Sequence, residues 1–185
     1  FDWETVGTEE GGFGWPCQSN DDCESEWCVE SAVGQICTVT CISSCPAPGW
    51  ACKQIASSGT DLIYACIDPF ARLCWPCSED ADCQSPTADP GARCVTLDDA
   101  GRFCAADCSG QKACPDGYSC VTVDVVGGAT AEQCVPDSGD CTCSPLAIEL
   151  GLSTACTQTS EAGVCTGARV CEAAGLSACN AALPT

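Results

Sequence analysis

The sequence predicts a small disulfide-rich protein that is mostly β, built from tandem cysteine-rich modules of short hairpins with little helix. Three observations support this fold class. The chain carries 23 cysteines among 185 residues, a density typical of disulfide scaffolds. Sixteen of these cysteines form two sets of eight with related spacing. Glycine-containing turns divide the longer intervals between cysteines, as expected for β-hairpins.

The repeat is the strongest signal in the chain. The gaps after the first, fourth and seventh cysteines are identical in both copies, at five, three and thirteen residues. Both copies begin with Trp-Pro-Cys, at Trp15 and Trp75, and both place an aspartate before the second cysteine, at Asp22 and Asp82. The predicted disulfide framework is therefore Cys17, Cys23, Cys28, Cys37, Cys41, Cys45, Cys52 and Cys66 in the first copy, and Cys77, Cys83, Cys94, Cys104, Cys108, Cys114, Cys120 and Cys134 in the second.

This spacing divides the chain into four segments. Residues 1–14 form an N-terminal extended segment, 15–67 and 73–136 are the two eight-cysteine modules, and 137–185 form a six-cysteine C-terminal module. Eight cysteines allow 105 pairings, and the sequence does not choose among them. Because the spacings agree, we expect both modules to share one pairing.

Turn residues predict two hairpins in each module. Gly34 marks the turn of the first hairpin in the first module, and 98–101 marks its counterpart in the second. Residues 57–60 and Gly127–Gly128 turn the longer hairpins. Since an isolated hairpin is marginal in water, the cysteines at its base must hold it together.

The C-terminal module follows a different pattern. Ser144 and Pro145 predict the cap and first turn of a short helix that continues to Leu150, before Gly151. Residues 160–163 predict the turn of another hairpin. This module contains Cys141, Cys143, Cys156, Cys165, Cys171 and Cys179.

Cys74 lies outside both repeats, and the total of 23 cysteines is odd. At least one thiol must therefore be free or bonded outside the chain. We expect Cys74 to form an inter-module bridge with Cys141 or Cys143. One cysteine of the C-terminal module then remains unpaired. Although Cys74-Trp75-Pro76-Cys77 has the spacing of a thioredoxin-type redox pair, no βαβ pattern surrounds it, so we expect structural half-cystines.

Composition argues against several function classes. The net charge of −20 repels phosphate backbones, which excludes nucleic acid as an expected partner. The aliphatic residues form no run long enough for direct membrane insertion. The chain has no histidine, so catalytic triads and histidine-ligated metals are excluded. No carboxylate pair can be singled out as acid and base. The sequence therefore predicts a protein that is not an enzyme.

Two acidic loops of matching position leave calcium open as a cofactor. Their carboxylates are the candidate ligands Asp21, Asp22, Asp80 and Asp82. Calcium prefers several carboxylate and carbonyl oxygens within one loop. The alternative is that Asp22 and Asp82 accept backbone N–H hydrogen bonds in a tight turn between cysteines. No other cofactor is expected.

The N-terminal segment alternates apolar and polar residues without a cysteine. Phe1, Trp3 and Val6 are the candidate residues for self-association. Because short hairpin modules leave open strand edges, an extended segment of this kind can add to the edge of a neighbouring copy. Repeated head-to-tail addition would produce a filament.

Several of these motifs resemble a known group of proteins. The Cys-x5-Cys spacing with its preceding aspartate, together with Gly-[Trp/Tyr]-x-Cys, resembles the cysteine-rich repeats of large secreted surface proteins of myxobacteria and their relatives. Residues 162–171 and 175–181 resemble the segment that precedes a MopE-like metal-binding repeat in such proteins. The resemblance covers residues 11–185 and implies an extracellular modular architecture. That acidic repeat does not occur in these 185 residues, so the resemblance implies no metal ligands here.

The sequence therefore predicts a secreted protein located outside the cell or on its surface, because this cysteine density persists only in oxidising compartments. The predicted function is a non-enzymatic structural or adhesive component, a protomer of a surface fibre or assembly, whose partners are copies of itself or other surface proteins. Two alternatives stay open. One is a binding module of the protease-inhibitor or ligand-capture type, and the other is a calcium-binding spacer.

Overall fold

The computed structural model describes residues 9–58, 61–84, 91–97 and 101–183. Within these ranges the chain divides into two compact units. The first contains residues 9–71, and the second contains the described residues from 72 to 183. The first unit holds the first eight-cysteine module, whereas the second eight-cysteine module and the C-terminal module share the second unit.

The predicted fold class is confirmed, since the protein is mostly β, disulfide-rich and poor in helix. The two α-helices are short: α1 is Asp80–Cys83 and α2 is Pro145–Glu149. The strands are β1 Cys28–Ser31, β2 Gly34–Cys37, β3 Ala51–Ser58, β4 Asp61–Ile67, β5 Arg93–Leu97, β6 Gly101–Asp107, β7 Tyr118–Asp124, β8 Thr130–Pro136, β9 Ser153–Ser160, β10 Gly163–Glu172 and β11 Gly175–Leu176.

The first unit contains two hairpins, β1–β2 and β3–β4, as the turn residues predicted. The Trp-Pro-Cys segment forms an additional short pairing that the sequence analysis did not predict. Pro16 bridges Ile36 on β2, and the N–H of Cys37 donates to the carbonyl of Trp15 at 2.7 Å. A second isolated bridge joins Thr40 to Ala65 on β4. The segment that links β2 to β3 therefore pairs, at Thr40, with one edge of β4.

The second unit repeats this arrangement with more continuous pairing. The four strands of the second eight-cysteine module form one sheet in the order β5-β6-β8-β7. Pro76 bridges Phe103 on β6, as Pro16 bridges Ile36 in the first unit. The turn residues 98–100 of the β5–β6 hairpin and 59–60 of the β3–β4 hairpin lie outside the described residues.

The C-terminal module adds the predicted helix and hairpin. The hydroxyl of Ser144 accepts the N–H of Ala147 at 3.2 Å and caps α2, and Pro145 occupies the first turn. Strands β9 and β10 pair antiparallel, with β11 on the other side of β10. The side chains of α2 pack against Trp75 and the half-cystines of the β5–β6 hairpin, which explains why this module and the second eight-cysteine module share one unit.

Half-cystines form much of the interior. Among the described residues, fourteen of the 27 buried apolar positions are cysteines. Phe103, Ile67 and Val29 are the largest apolar side chains that are almost completely buried. Disulfides therefore replace much of the aliphatic core that a chain of this length would otherwise need.

Candidate functional site

All 23 cysteines lie in the described part of the chain, where eleven disulfides form and Cys165 stays a free thiol. Both eight-cysteine modules share one pairing, which confirms the prediction of common connectivity. The first module contains Cys17–Cys28, Cys23–Cys37, Cys41–Cys52 and Cys45–Cys66. The second contains Cys77–Cys94, Cys83–Cys104, Cys108–Cys120 and Cys114–Cys134.

This pairing shows a smaller repeat inside each module. Within each eight-cysteine module, the first four cysteines form one group and the last four form another, and we call each group a quartet. In every quartet the first cysteine bonds the third and the second bonds the fourth. The two modules hold the first to fourth quartets. The disulfides Cys143–Cys171 and Cys156–Cys179 give the C-terminal module a fifth quartet with the same order of pairing. Sequence spacing concealed this repeat, because the gaps within successive quartets differ in length.

In the first four quartets, the third and fourth cysteines lie directly opposite each other at the base of a hairpin. The cross-strand partners are Cys28 and Cys37, Cys52 and Cys66, Cys94 and Cys104, and Cys120 and Cys134. They do not bond to each other. Each bonds instead to a cysteine of the preceding segment, so two disulfides fix that segment against the hairpin.

The sulfurs of each of these quartets form a tight cluster. Among the described residues, the Sγ atoms of the first, second and fourth cysteines lie within 4.8 Å of one another in all four quartets. The third sulfur is bonded to the first. The fifth quartet has the same pairing but is not among these clusters. Thus, in four of the five quartets, three sulfurs lie close together and the remaining one is bonded to one of these three.

The first acidic loop uses Asp22 to accept backbone hydrogen bonds. Its Oδ2 accepts the N–H of Gln18 at 2.8 Å and the N–H of Ser19 at 2.9 Å. These two hydrogen bonds hold the pKa of Asp22 below its ordinary value, and the bond from Gln18 has the larger effect. Asp21 is exposed in the same loop.

The second loop repeats the arrangement. Oδ2 of Asp82 accepts the N–H of Ser78 at 2.7 Å and the N–H of Glu79 at 3.2 Å. Oδ1 of Asp80 accepts the N–H of Cys94 at 2.8 Å, and Arg93 pairs with its Oδ2 at 3.5 Å. Asp22 and Asp82 therefore accept backbone N–H groups, which is the alternative that the sequence left open, and Asp80 does so as well. Within the described ranges, only cysteines form groups of three or more close metal-ligand atoms.

Cys74 bonds Cys141, one of the two partners predicted for it. The hydroxyl of Tyr118 lies 3.3 Å from Sγ of Cys74, and it must donate because a disulfide sulfur carries no proton. Burial raises the pKa of the Tyr118 hydroxyl. Cys77 bonds Cys94, so the Cys-Trp-Pro-Cys segment contains no internal disulfide and serves instead to join two modules.

Three exposed apolar residues of the first eight-cysteine module have no apolar counterpart at the matching positions of the second module. Ile42 is fully exposed, Leu62 is 55% exposed and Tyr64 is 40% exposed. When the two modules are aligned on their cysteines, the residues at these positions in the second module are polar and exposed: Ser109, Thr130 and Glu132. The repeat itself therefore does not require apolar side chains there.

The backbone of β4 is open beside these residues. The N–H of Cys66 donates to Val39 and the carbonyl of Tyr64 accepts from Cys41, both at 3.0 Å. Since backbone groups alternate along a strand, Leu62 also directs its N–H and carbonyl to that outer edge. The described residues show no bridge beyond Thr40–Ala65 on this side. The carbonyl of Tyr64 is occupied by Cys41, so the part of this edge that is able to accept another strand comprises the N–H of Tyr64 and both backbone groups of Leu62.

The other candidates are placed as follows. Phe1, Trp3 and Val6 lie outside the described residues, so their predicted role in self-association stays a prediction. Cys143 belongs to the fifth quartet. Among the described residues, no helix is both long and apolar enough to cross a bilayer.

The disulfides are compatible with an extracellular protein. The resemblance to myxobacterial surface proteins stays a prediction. Comparisons with protein-family models, with curated proteins and with solved structures found no match to this chain.

Proposed function

We propose that this protein is a non-enzymatic extracellular component of a structural or adhesive assembly, and that copies of it associate by strand addition to the open edge of β4. The observation that carries the proposal is the combination of exposed apolar side chains at Leu62 and Tyr64 with an outer edge of β4 that has no bridge beyond Thr40–Ala65 among the described residues. Strand addition uses both, because the backbone gives affinity and the alternate side chains give specificity.

The contrast between the two modules supports this role. An exposed apolar side chain alone is common on protein surfaces. Here three exposed positions are apolar in one copy of the repeat and polar in the other. The first module therefore carries a surface that stability of the fold does not demand.

The donor strand is the N-terminal segment that contains Phe1, Trp3 and Val6. Donation to a neighbouring copy is head-to-tail, and an open head-to-tail contact extends into a filament. Charge opposes this association. Residues 1–71 contain eleven acidic residues and one lysine, for a net charge of −10. Because salt screens repulsion between like charges, association strengthens as ionic strength rises.

Sedimentation velocity over a range of protein and salt concentrations tests the proposal. The acceptor-deficient variant Ile42→Ser/Leu62→Thr/Tyr64→Glu carries the residues of the second module at these positions, so it is expected to fold. It should stay monomeric where the wild-type chain associates. The control is Val121→Thr, which alters an exposed side chain of the second unit and should associate like wild type.

A complementation experiment tests the head-to-tail geometry. A chain that begins at Glu9 lacks the donor but keeps the acceptor edge, whereas the triple variant keeps the donor and lacks the acceptor. Each should be monomeric alone, and a mixture should form one-to-one dimers that grow no further. A wild-type chain that stays monomeric at high salt and at every concentration would contradict the proposal, as would longer assemblies in the mixture.

A further inference from the structure

The four sulfur clusters have a property that disulfide bonding alone does not need. In each of the first four quartets, three Sγ atoms lie within 4.8 Å of one another and the fourth is bonded to one of them. Two disulfides that merely staple a hairpin could lie at opposite ends of it. Here each of the first four quartets brings three soft ligand atoms within 4.8 Å of one another, and its fourth sulfur is bonded to one of these three.

We propose that each of the first four quartets binds one zinc ion through four thiolates when its two disulfides are reduced. The sites are Cys17, Cys23, Cys28 and Cys37; Cys41, Cys45, Cys52 and Cys66; Cys77, Cys83, Cys94 and Cys104; and Cys108, Cys114, Cys120 and Cys134. The proposal concerns the reduced chain and is independent of the proposed function, which concerns the oxidised protein.

The geometry requires only small movements. Zn–S bonds of about 2.3 Å in a tetrahedral site place the sulfurs about 3.8 Å apart. In the first quartet, the bonded sulfurs of Cys17 and Cys28 start 2.03 Å apart and must separate, whereas the sulfur of Cys17 already lies within 4.8 Å of those of Cys23 and Cys37. Shifts on the order of 1 Å therefore bring the sulfurs of Cys17, Cys23 and Cys37 to tetrahedral spacing, and Cys28, directly opposite Cys37 on the hairpin, supplies the fourth ligand.

The chemistry balances with a dithiol as reductant. Each disulfide gains two electrons and two protons and becomes two thiols, while the dithiol is oxidised to its own disulfide. The four thiols of a quartet then lose four protons as four Zn–S bonds form. Two molecules of a small-molecule disulfide can reverse the step: each accepts two electrons and two protons and becomes a pair of thiols, while the quartet re-forms its two disulfides and releases the ion.

The bound ion would take over the structural role of the two disulfides. It joins the same four positions, namely two opposed hairpin residues and two residues of the preceding segment. In small domains, the free energy of zinc binding is also folding free energy. A reduced quartet is therefore expected to be ordered with zinc and unfolded without it.

The fifth quartet provides a control within the same chain. Cys143, Cys156, Cys171 and Cys179 follow the same pairing order, but their sulfurs do not form a cluster of this kind. Its third and fourth cysteines are also not opposed on a hairpin, because Cys171 faces Leu176. The structure thus predicts four sites in the reduced chain, although enough thiols exist for five.

Cobalt titration of the full reduced chain without oxygen tests the proposal. Four tetrahedral cobalt ions with four thiolates each should bind, detected by sulfur-to-cobalt charge-transfer and visible d–d absorption, and zinc should displace them. Cys83→Ser/Cys104→Ser should bind three cobalt ions, whereas Cys156→Ser/Cys179→Ser should still bind four. The oxidised chain should show no thiolate absorption.

Hydrogen exchange gives a second readout. In the reduced chain with zinc, the amides of Cys37 and Cys104, which bond the carbonyls of Trp15 and Trp75, should be protected, and a chelator should remove that protection. The proposal is overturned if the fifth-quartet variant loses a site as the third-quartet variant does, if fewer than four thiolates bind each cobalt, or if zinc gives these amides no protection.

Discussion

Cys74 occupies the position in the second module that Gly14 occupies in the first. Both have positive φ, 62° for Cys74 and 88° for Gly14. Both donate their N–H to the backbone carbonyl of the fourth cysteine in the following quartet. Gly14 donates to the carbonyl of Cys37 at 2.8 Å, and Cys74 donates to the carbonyl of Cys104 at 2.9 Å. A left-handed backbone favours glycine and costs a residue with a Cβ atom about 1–2 kcal/mol. The inter-module disulfide has therefore been placed at a strained position.

This strain predicts an order of stability among variants that lack the Cys74–Cys141 bridge. Its cysteines are 67 residues apart, so removing it should lower the stability of the second unit by about 4 kcal/mol. Cys74→Gly/Cys141→Ser should be more stable than Cys74→Ser/Cys141→Ser by about 1 kcal/mol, since glycine relieves the strain. Native-state hydrogen exchange of the amides of β6 and β9 measures both effects. Equal stability of the two variants would contradict a strained Cys74.

Two carboxyl groups of the first unit should titrate on opposite sides of the ordinary value. Burial raises the pKa of Asp68, although the N–H groups of Phe70 and Ala32 donate to it. Backbone bonds lower the pKa of Asp22. Side-chain carbon NMR over a pH series should place the midpoint of Asp68 above 3.8 and that of Asp22 below it. The reverse order would show that Asp68 is solvated in the folded protein.

These shifts act on stability in opposite directions. The contribution of Asp22 is present above its unfolded pKa and is lost as pH falls through its lowered folded pKa. That of Asp68 is fully present below its unfolded pKa and is lost as pH rises through its raised folded pKa. Urea unfolding at a series of pH values measures the free energy of unfolding as a function of pH. Asp68→Asn should therefore weaken its pH dependence at pH values above the ordinary aspartate pKa, and Asp22→Asn should weaken it at pH values below that pKa.

Gly167 should not tolerate a side chain. A Cβ atom there would lie 2.3 Å from the backbone nitrogen of Ala181 and 2.6 Å from the side-chain oxygen of Asn180. That oxygen accepts the N–H of Ala168 at 2.7 Å, so the final described segment is held directly across β10. Gly167→Ala should cost about 1–3 kcal/mol in thermal or urea unfolding. The control Thr166→Ala changes the exposed neighbouring residue and should cost little.

Cys165 should account for the only reactive thiol of the oxidised chain. Thiol titration under denaturing, non-reducing conditions should give one thiol per molecule, and Cys165→Ser should give none, because the other 22 cysteines are paired. Cys165 is half-buried on β10, opposite Gln158 on β9. Native labelling should therefore be slower than labelling in denaturant. A remaining thiol in Cys165→Ser would indicate a pairing different from the one described here.

Local signals in the sequence were sufficient to predict much of the fold. Gly34 and Gly127–Gly128 identified hairpin turns because their positive φ, 141° at Gly34, suits glycine. Ser144 and Pro145 identified the start of α2 through capping chemistry. Counting cysteines placed the odd thiol among Cys74 and the six C-terminal cysteines, but the pairing of Cys74 with Cys141 rather than Cys143 is a tertiary property.

Other features could not be predicted from one sequence. The quartets were hidden because 13 residues separate Cys52 from Cys66, whereas eight separate Cys28 from Cys37, so the similarity becomes visible only when both pairs lie opposite each other. The open edge at Leu62 was equally hidden, since a strand edge depends on which segments pair elsewhere. The distinction between a calcium ligand and a backbone acceptor at Asp22 required the positions of the N–H groups of Gln18 and Ser19.

The order of bridges along the chain has a consequence for oxidative folding. Each of the first four quartets closes within a short stretch, the longest being 77–104, so a chain that emerges from its N-terminus can complete one quartet before the next is available. Cys74 differs, because its partner Cys141 emerges only after the third and fourth quartets. During that interval its thiol lies three positions from Cys77, a competing partner. Formation of the Cys77–Cys94 disulfide removes that competitor, so early closure of the third quartet would favour the native bridge of Cys74.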